Sequence, residues 1–104
     1  MKKTIDLNFF KNPDSTLEEL KQNISSKTDA NTFRLVEWQR SSTLYDRVER
    51  DQWSVLALAI YFNRYDMVEY LLSIGGNLNA PCTNTWFPTF LFFNDYKMFQ
   101  LLVG

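Results

Sequence analysis

The sequence predicts an all-α domain, a short helix–turn–helix solenoid of two to three repeats with a degenerate N-terminal helical unit. Residues 54–62 are apolar almost all round and rich in small side chains, which is typical of a helix buried between neighbours. A polar break at residues 63–66 is followed by apolar residues at helical spacing as far as Gly75. A related pattern returns 31 to 33 residues later, and a period of this length indicates stacked helical pairs.

The composition indicates one folded domain without a basic surface. The chain has 104 residues, of which 45% are hydrophobic and 16% aromatic, so it can bury a core of ordinary size. Eleven basic residues against twelve acidic ones give a net charge of −1. Proteins that neutralise nucleic-acid phosphates carry a basic excess, and no run approaches the ~20 apolar residues of a membrane span. We therefore expect no nucleic-acid partner and no membrane partner.

The residue types exclude the commonest catalytic and metal-binding arrangements. Histidine is absent and Cys82 is the single cysteine, which removes the usual zinc ligand sets, the Ser-His-Asp triad and the Cys-His pair. A small enzyme would depend on Cys82 or on carboxylates such as Asp51, Asp66 and Asp95, and no motif points to them. We expect no catalytic residues, no cofactor and no metal.

The N-terminal residues and the cysteine content favour a cytoplasmic location in the producing or host cell. One cysteine leaves no intrachain disulfide, which is usual in a reducing compartment. Asp6 and Asn8 interrupt the apolar stretch that a secretory signal peptide needs.

The first predicted helix spans residues 16–25, after an N-terminal arm at residues 1–14. Ser15 and Glu18 have the S-x-x-E spacing of a capping box, in which each side chain satisfies a backbone N–H at the helix start. Apolar residues then recur at three- and four-residue spacing, which predicts one apolar stripe on a surface helix.

A second helix is predicted over residues 33–40, so that residues 15–41 form a degenerate first helical pair. Between Ser41 and Gln52 the charges alternate in sign. Such a run usually forms a solvated loop or a short helix, and the alternative is a charged rim beside a binding site.

The clearest repeat unit spans residues 51–80. Its first helix is the apolar segment at residues 54–62, and Gly75 stands where the second helix should end in the left-handed conformation. Between them, apolar residues return at the spacing of one helix face: Met67, Val68, Leu71 and Leu72. Two helices joined by so tight a turn pack antiparallel.

A shortened terminal repeat is predicted over residues 84–104. Trp53 and Trp86 lie 33 residues apart, whereas NRYDMVEYLL from Asn63 matches NDYKMFQLLV from Asn94 at a shift of 31. Six of those ten pairs are identical or similar in kind. The two-residue shortening falls at the turn between the helices, where a deletion costs least.

These residues resemble the ankyrin repeat. Residues 54–59 stand in place of the family's T-P-L-H-x-A, and residues 68–80 follow its V-x-x-L-L-x-x-G-A-x-x-N-A. The resemblance is clear over residues 51–104 and weak before residue 41, and it implies a solenoid that binds other proteins.

The resemblance departs from the family at the Thr and His of T-P-L-H. These positions are Ser54 and Ala57 in the first unit, and Phe87 and Phe90 in the second. Neighbouring repeats should then be held mainly by apolar burial. The rings expected to supply that burial are Trp86, Phe87, Phe90, Phe92 and Phe93.

The resemblance implies a non-catalytic protein–protein interaction module. The family binds through the connections between units and the ends of the inner helices. At the matching positions the candidate partner-binding residues are Arg50, Gln52, Trp53, Tyr61, Thr83, Asn84, Trp86, Asn94 and Asp95. The alternative for the two tryptophans is that they cover the edge of the core. The small size favours an inhibitor or adaptor of one specific protein, such as a virus-encoded antagonist, an effector or an immunity protein.

Self-association is the alternative function that the sequence leaves open. The last predicted helix includes Leu101 and Leu102, which would lie on an uncovered stacking face. Pairing of that face about a two-fold axis would produce a homodimer.

Overall fold

The computed structural model describes residues 5–41, 46–79, 89 and 93–103. Within these residues the chain forms six helices and one two-stranded antiparallel sheet. The elements in chain order are α1 (Leu7–Lys11), α2 (Leu17–Asn23), α3 (Lys27–Ala30), β1 (Phe33–Ser41), β2 (Asp46–Ser54), α4 (Val55–Tyr61), α5 (Tyr65–Ser73) and α6 (Tyr96–Val103). The prediction of an all-α solenoid is therefore wrong, because the fold is mixed.

The sheet occupies the segment predicted as a second helix and a charged loop. Strands β1 and β2 pair in continuous register from Phe33 opposite Ser54 to Ser41 opposite Asp46. Val36 is buried beside exposed Glu37, and Trp53 is buried beside exposed Gln52. This alternation has the two-residue period of a strand, and pairing of the two backbones overrides the weak helical spacing of the segment. The degenerate helical pair at residues 15–41 is consequently absent.

The first helices bury apolar side chains from the N-terminal part of the chain. Asp6 caps α1 by accepting a hydrogen bond from the Phe9 N–H at 3.2 Å, and Phe9 and Phe10 are buried. The capping box of α2 is formed by Thr16 and Glu19, not by Ser15 and Glu18. The predicted box is thus displaced by one residue, because Ser15 is itself buried and its place at the helix start is taken by Thr16.

Helix α4 is the centre of the core, as its composition predicts. The six residues from Val55 to Ile60 are fully buried, and the helix contacts α1, α3, β2 and α5. Ser54 caps it by accepting from the Ala57 N–H at 3.0 Å, and its hydroxyl also meets the Thr89 hydroxyl at 3.2 Å. A turn with Asn63 at φ 57° leads into α5. The predicted apolar face of α5 is confirmed, since Met67, Val68 and Leu71 are buried.

Gly75 ends the α4–α5 unit as expected, with φ at +107°. The loop that follows is tied to α3 through a single side chain. Asn31 donates from Nδ2 to the Gly75 carbonyl at 3.1 Å and accepts from the Asn77 N–H at 2.8 Å. The conformation of Gly75 and these two bonds hold residues 75–77 against the end of α3.

Arg64 fastens the α4–α5 turn to the N-terminal helices. Its guanidinium donates to the carbonyls of Phe10 at 3.2 Å and Ser15 at 3.4 Å, and also to that of Asn12. These carbonyls surround the end of α1 and the start of α2. One side chain therefore orients both helices against the core.

None of the helices in the described ranges has the length and apolar character needed to cross a bilayer.

Candidate functional site

Helix α6 carries an exposed apolar stripe on the side opposite the core. Met98 is fully buried, and Leu101 and Leu102 pack against the core as partly buried residues. Tyr96 is 71% exposed and Phe99 is 39% exposed. Their three-residue spacing places both on one helix face, because residues three and four apart are neighbours on a helix surface.

The exposed rings border a shallow, open depression of about 500 Å³ with a mostly apolar lining. Phe93 and Phe99 have ring centroids 5.2 Å apart, and Tyr96 is stacked on Phe99 at 6.3 Å. The described residues that line it are Phe93, Asn94, Asp95, Tyr96 and Phe99. We name these five residues the aromatic surface.

Polar contacts hold the aromatic surface in place at the start of α6. Asp95 caps this helix, since its Oδ1 accepts from the Met98 N–H at 2.7 Å. Its Oδ2 accepts from the hydroxyl of Tyr65 in α5. Asn94 donates from Nδ2 to the Tyr61 carbonyl at the end of α4, at 2.7 Å. Residues 93–95 are thus anchored to both helices of the central pair.

These contacts also set the charge at the edge of the depression. The hydrogen bond from Tyr65 and the one from the Met98 N–H lower the pKa of Asp95, and the nearby Lys97 adds to this effect. The same hydrogen bond, together with burial and the charge of Asp95, raises the pKa of Tyr65. The Lys97 ammonium lies 4.3 Å from the centre of the Tyr65 ring. At neutral pH Asp95 is therefore a carboxylate that is bonded to Tyr65 and to the Met98 N–H, while the lining of the depression itself is almost entirely apolar.

The structure brings together part of the predicted binding set. Tyr61 is exposed, and its carbonyl accepts a hydrogen bond from Asn94, the residue that precedes Asp95 in the chain. Trp53 is 9% exposed and packs edge-on against Tyr61, with ring centroids 5.3 Å apart. Its position agrees with the alternative that it covers the edge of the core.

The remaining predicted residues lie elsewhere. Gln52 is exposed on β2, and Arg50 lies on the same strand opposite Glu37. Cys82, Thr83, Asn84 and Trp86 lie outside the described residues. Leu101 and Leu102, predicted for self-association, are on the side of α6 that packs against the core.

The sequence did not indicate Tyr96 and Phe99 as site residues. It assigned Phe93 to the core, and Phe93 does pack against the core as a partly buried residue, although it also lines the depression. The repeat alignment places Phe99 at the position of Val68, which is buried in α5, so the alignment gives no sign that Phe99 is exposed. The sequence of α6 alone could have indicated that Tyr96 and Phe99 are exposed. Met98, Leu101 and Leu102 already complete one apolar face, which leaves Tyr96 and Phe99 on the other.

Among the residues that the structure describes, no three potential metal-ligating side chains group together. The sequence matches no known family model, and no similarity to a curated protein or to a solved structure is significant.

Proposed function

We propose that this protein is a non-catalytic binding module that contacts another protein through the aromatic surface. One observation carries the proposal: Tyr96, 71% exposed, and Phe99, 39% exposed, stand beside an apolar depression on a firmly held helix. Aromatic side chains are enriched in the buried centres of protein interfaces, where they supply most of the binding energy. Aromatic rings that are exposed to solvent on an ordered helix are typical of a protein-binding surface.

The polar anchoring of this surface supports the same function. The bonds from Asn94 to Tyr61 and from Tyr65 to Asp95 fix residues 93–95 before any partner arrives. A surface that is already ordered loses less conformational entropy on binding.

We further propose that the partner is one specific protein, which this small chain inhibits or recruits in the cytoplasm. The second candidate is self-association through the same rings, because Val103 at 67% exposure extends the stripe of Tyr96 and Phe99 along α6. Both candidates use one surface, and they differ in whether the partner is a second copy.

The proposal is tested with a double variant, Tyr96→Ser with Phe99→Ser, compared with wild type. The control is Glu18→Ser with Gln22→Ser, which alters two exposed positions on α2. Light scattering first determines the mass of each protein in solution. A wild-type dimer that the Tyr96 and Phe99 changes convert to a monomer identifies self-association.

Affinity capture from the native host extract then identifies a heterologous partner, whose affinity is measured with purified protein. We expect the double variant to bind at least about tenfold more weakly, as for loss of interface hot spots, and the control to bind as wild type. A partner that binds all three proteins equally, or a wild type that is monomeric and captures nothing, contradicts the proposal.

A further inference from the structure

We propose that β2 pairs edge to edge with β2 of a second copy of this chain, in antiparallel register about a two-fold axis at Val48. The two hairpins then form one four-stranded sheet, and the protein is a homodimer with an isologous interface. This contact lies on a different element from the aromatic surface and leaves that surface available for another protein.

Strand β2 is an edge strand within the part of the chain that the structure describes. It is nine residues long, and β1 is the strand that pairs with it there. An edge strand carries a row of N–H and C=O groups that point away from its neighbour. An extended strand of a second molecule satisfies such groups by adding to the sheet.

The register inside the hairpin does not account for the charges of β2. Arg47 lies opposite Arg40, and Glu49 lies opposite Trp38. Like charges directly opposite each other destabilise an antiparallel pair. Pairing with β1 therefore places Arg47 against its own charge and Glu49 against an aromatic residue.

A second copy of β2 supplies the opposite charges. Residues 46–50 read Asp-Arg-Val-Glu-Arg, a sequence whose charges are complementary to their own reversal. In an antiparallel pair centred on Val48, Arg47 lies opposite Glu49 of the second copy, and Asp46 lies opposite Arg50. The two-fold axis repeats both pairings, so every charged residue in the two segments lies opposite one of the other sign.

The charges also select this register. The two-fold axis places the central residue opposite its own copy, so a centre at any charged residue of β2 sets like charges against each other. A centre at Gln52 or later in the strand brings none of the charged residues of β2 opposite one another. Cross-strand charges are effective at fixing register and excluding alternatives, even where each pair adds little affinity.

The edge of β1 lacks this pattern. Its charged residues, Arg34, Glu37 and Arg40, are three positions apart, whereas residues related by the axis differ by an even number of positions. No centre on β1 therefore sets opposite charges across from each other. In addition, α1 contacts β1, and Arg34 donates to the Ile5 carbonyl at 2.8 Å. We expect the second copy on the β2 side.

The test is the mass of the full chain, measured by light scattering and sedimentation equilibrium from about 10 µM to about 1 mM. We expect a reversible monomer–dimer equilibrium with micromolar affinity. Raising the salt concentration from about 0.05 to about 0.5 M should weaken the dimer at least about threefold, because exposed charge pairs are screened.

Charge reversals assign the register. Arg47→Glu sets two acidic residues opposite each other and Glu49→Arg sets two basic ones, so each variant alone should dimerise at least about tenfold more weakly. Mixed in equal amounts, the two variants are complementary at both positions and should form a heterodimer, which also shows that both are folded. Glu69→Arg is the matched control, because it makes the same charge change at an exposed position on α5, and it should dimerise as wild type.

A cross-link locates the axis. Val48→Cys in a Cys82→Ser background places two thiols directly opposite each other, within range of a disulfide. Gln52→Cys in the same background is the control, since this register separates its two copies by about 26 Å along the strands. Mild oxidation should convert the first protein to a covalent dimer and leave the second monomeric.

The inference is overturned if wild type stays monomeric at about 1 mM, if the reversals dimerise as wild type, or if the two reversed variants do not associate when mixed. A dimer that the Tyr96→Ser and Phe99→Ser changes dissociate and the reversals leave intact would also reject β2 pairing, and would assign self-association to the aromatic surface. Capture of a heterologous partner through Tyr96 and Phe99 judges the proposed function separately.

Discussion

The hydroxyl of Tyr65 donates a hydrogen bond to Oδ2 of Asp95, thirty residues further along the chain. Oδ1 of the same carboxylate accepts from the Met98 N–H and so caps α6. One carboxylate therefore joins α5 to α6 and orients the helix that exposes Tyr96 and Phe99. The position of the aromatic surface depends on a polar contact between side chains that no local sequence pattern connects.

This contact should make the stability of the protein depend on pH in two windows. The lowered pKa of Asp95 means that its contribution is present above the ordinary carboxyl pKa of about 4 and is lost as the pH falls through the folded value. The raised pKa of Tyr65 means that its contribution is present below about pH 10 and is lost as the pH rises through the folded value.

The contribution of the Tyr65–Asp95 hydrogen bond is measured by urea denaturation of wild type and of Tyr65→Phe at a series of pH values. The difference in free energy of unfolding between them should be constant near neutrality and should narrow in acid and above about pH 10. Tyr70→Phe is the control for the acid window, because the Tyr70 hydroxyl donates to the Ile24 carbonyl, which takes up no proton there. A Tyr65→Phe difference independent of pH would show that the Tyr65–Asp95 bond does not form.

Arg64 should be required for the packing of the N-terminal helices. Replacing it by Met removes the guanidinium bonds to three carbonyls and should cost about 1.5–3 kcal/mol, the usual range for a hydrogen bond to a charged group. Arg64→Lys should retain at most part of the lost unfolding free energy, because an ammonium lacks the planar set of donors of a guanidinium. Chemical denaturation gives the free energy, and amide exchange should rise most in α1. Full recovery by lysine would argue against the multiple contact.

Trp53 should act through stability more than through binding. Its side chain is buried, so Trp53→Ala should cost about 3–5 kcal/mol of unfolding free energy. Tyr61→Ala, at the exposed ring that Trp53 contacts, should cost much less. Thermal and urea unfolding of the two variants make the comparison. Equal losses, or a Trp53 variant of native stability, would contradict the burial of the indole.

Met98 and Phe99 are neighbours on α6 and should respond in opposite ways. Met98→Ala creates a cavity in the core and should cost about 2–5 kcal/mol, whereas Phe99→Ala should cost less than about 1 kcal/mol. The partner affinity should show the reverse order among variants that remain folded. Circular dichroism, unfolding curves and binding titrations together give the result, and a destabilised Phe99 variant would place α6 the other way round.

Gly75 should resist replacement because of its backbone conformation. Gly75→Ala places a side chain at φ +107°, which should cost about 1–3 kcal/mol. The added Cβ would also approach the Lys27 side chain at 2.8 Å, although that flexible chain can move away. Asn79→Ala, at an exposed position in the same loop, is the control. Denaturation curves that coincide for the two variants would rule out the strained turn.

The sequence was sufficient for the central helical pair. Residues 54–62 are apolar on every side, so the helix they form can be stable only when surrounded, and α4 is indeed fully enclosed from Val55 to Ile60. The position of Gly75 marked the end of α5 for an equally local reason, since glycine enters that conformation with little penalty. Both features depend on residues within one helical unit.

The sheet depended on information that the segment itself does not contain. The segment Phe33–Ser41 has no strong preference of its own for helix or strand. It forms a strand because the segment Asp46–Ser54 pairs with it and because Val36 and Trp53 are buried in the core. The aromatic surface has the same origin. Val68 and Phe99 hold corresponding positions in two similar helices, yet one is buried and the other exposed. Sequence periodicity determined which residues share a helix face, whereas only tertiary packing decided which faces are covered, because burial is a property of neighbouring elements.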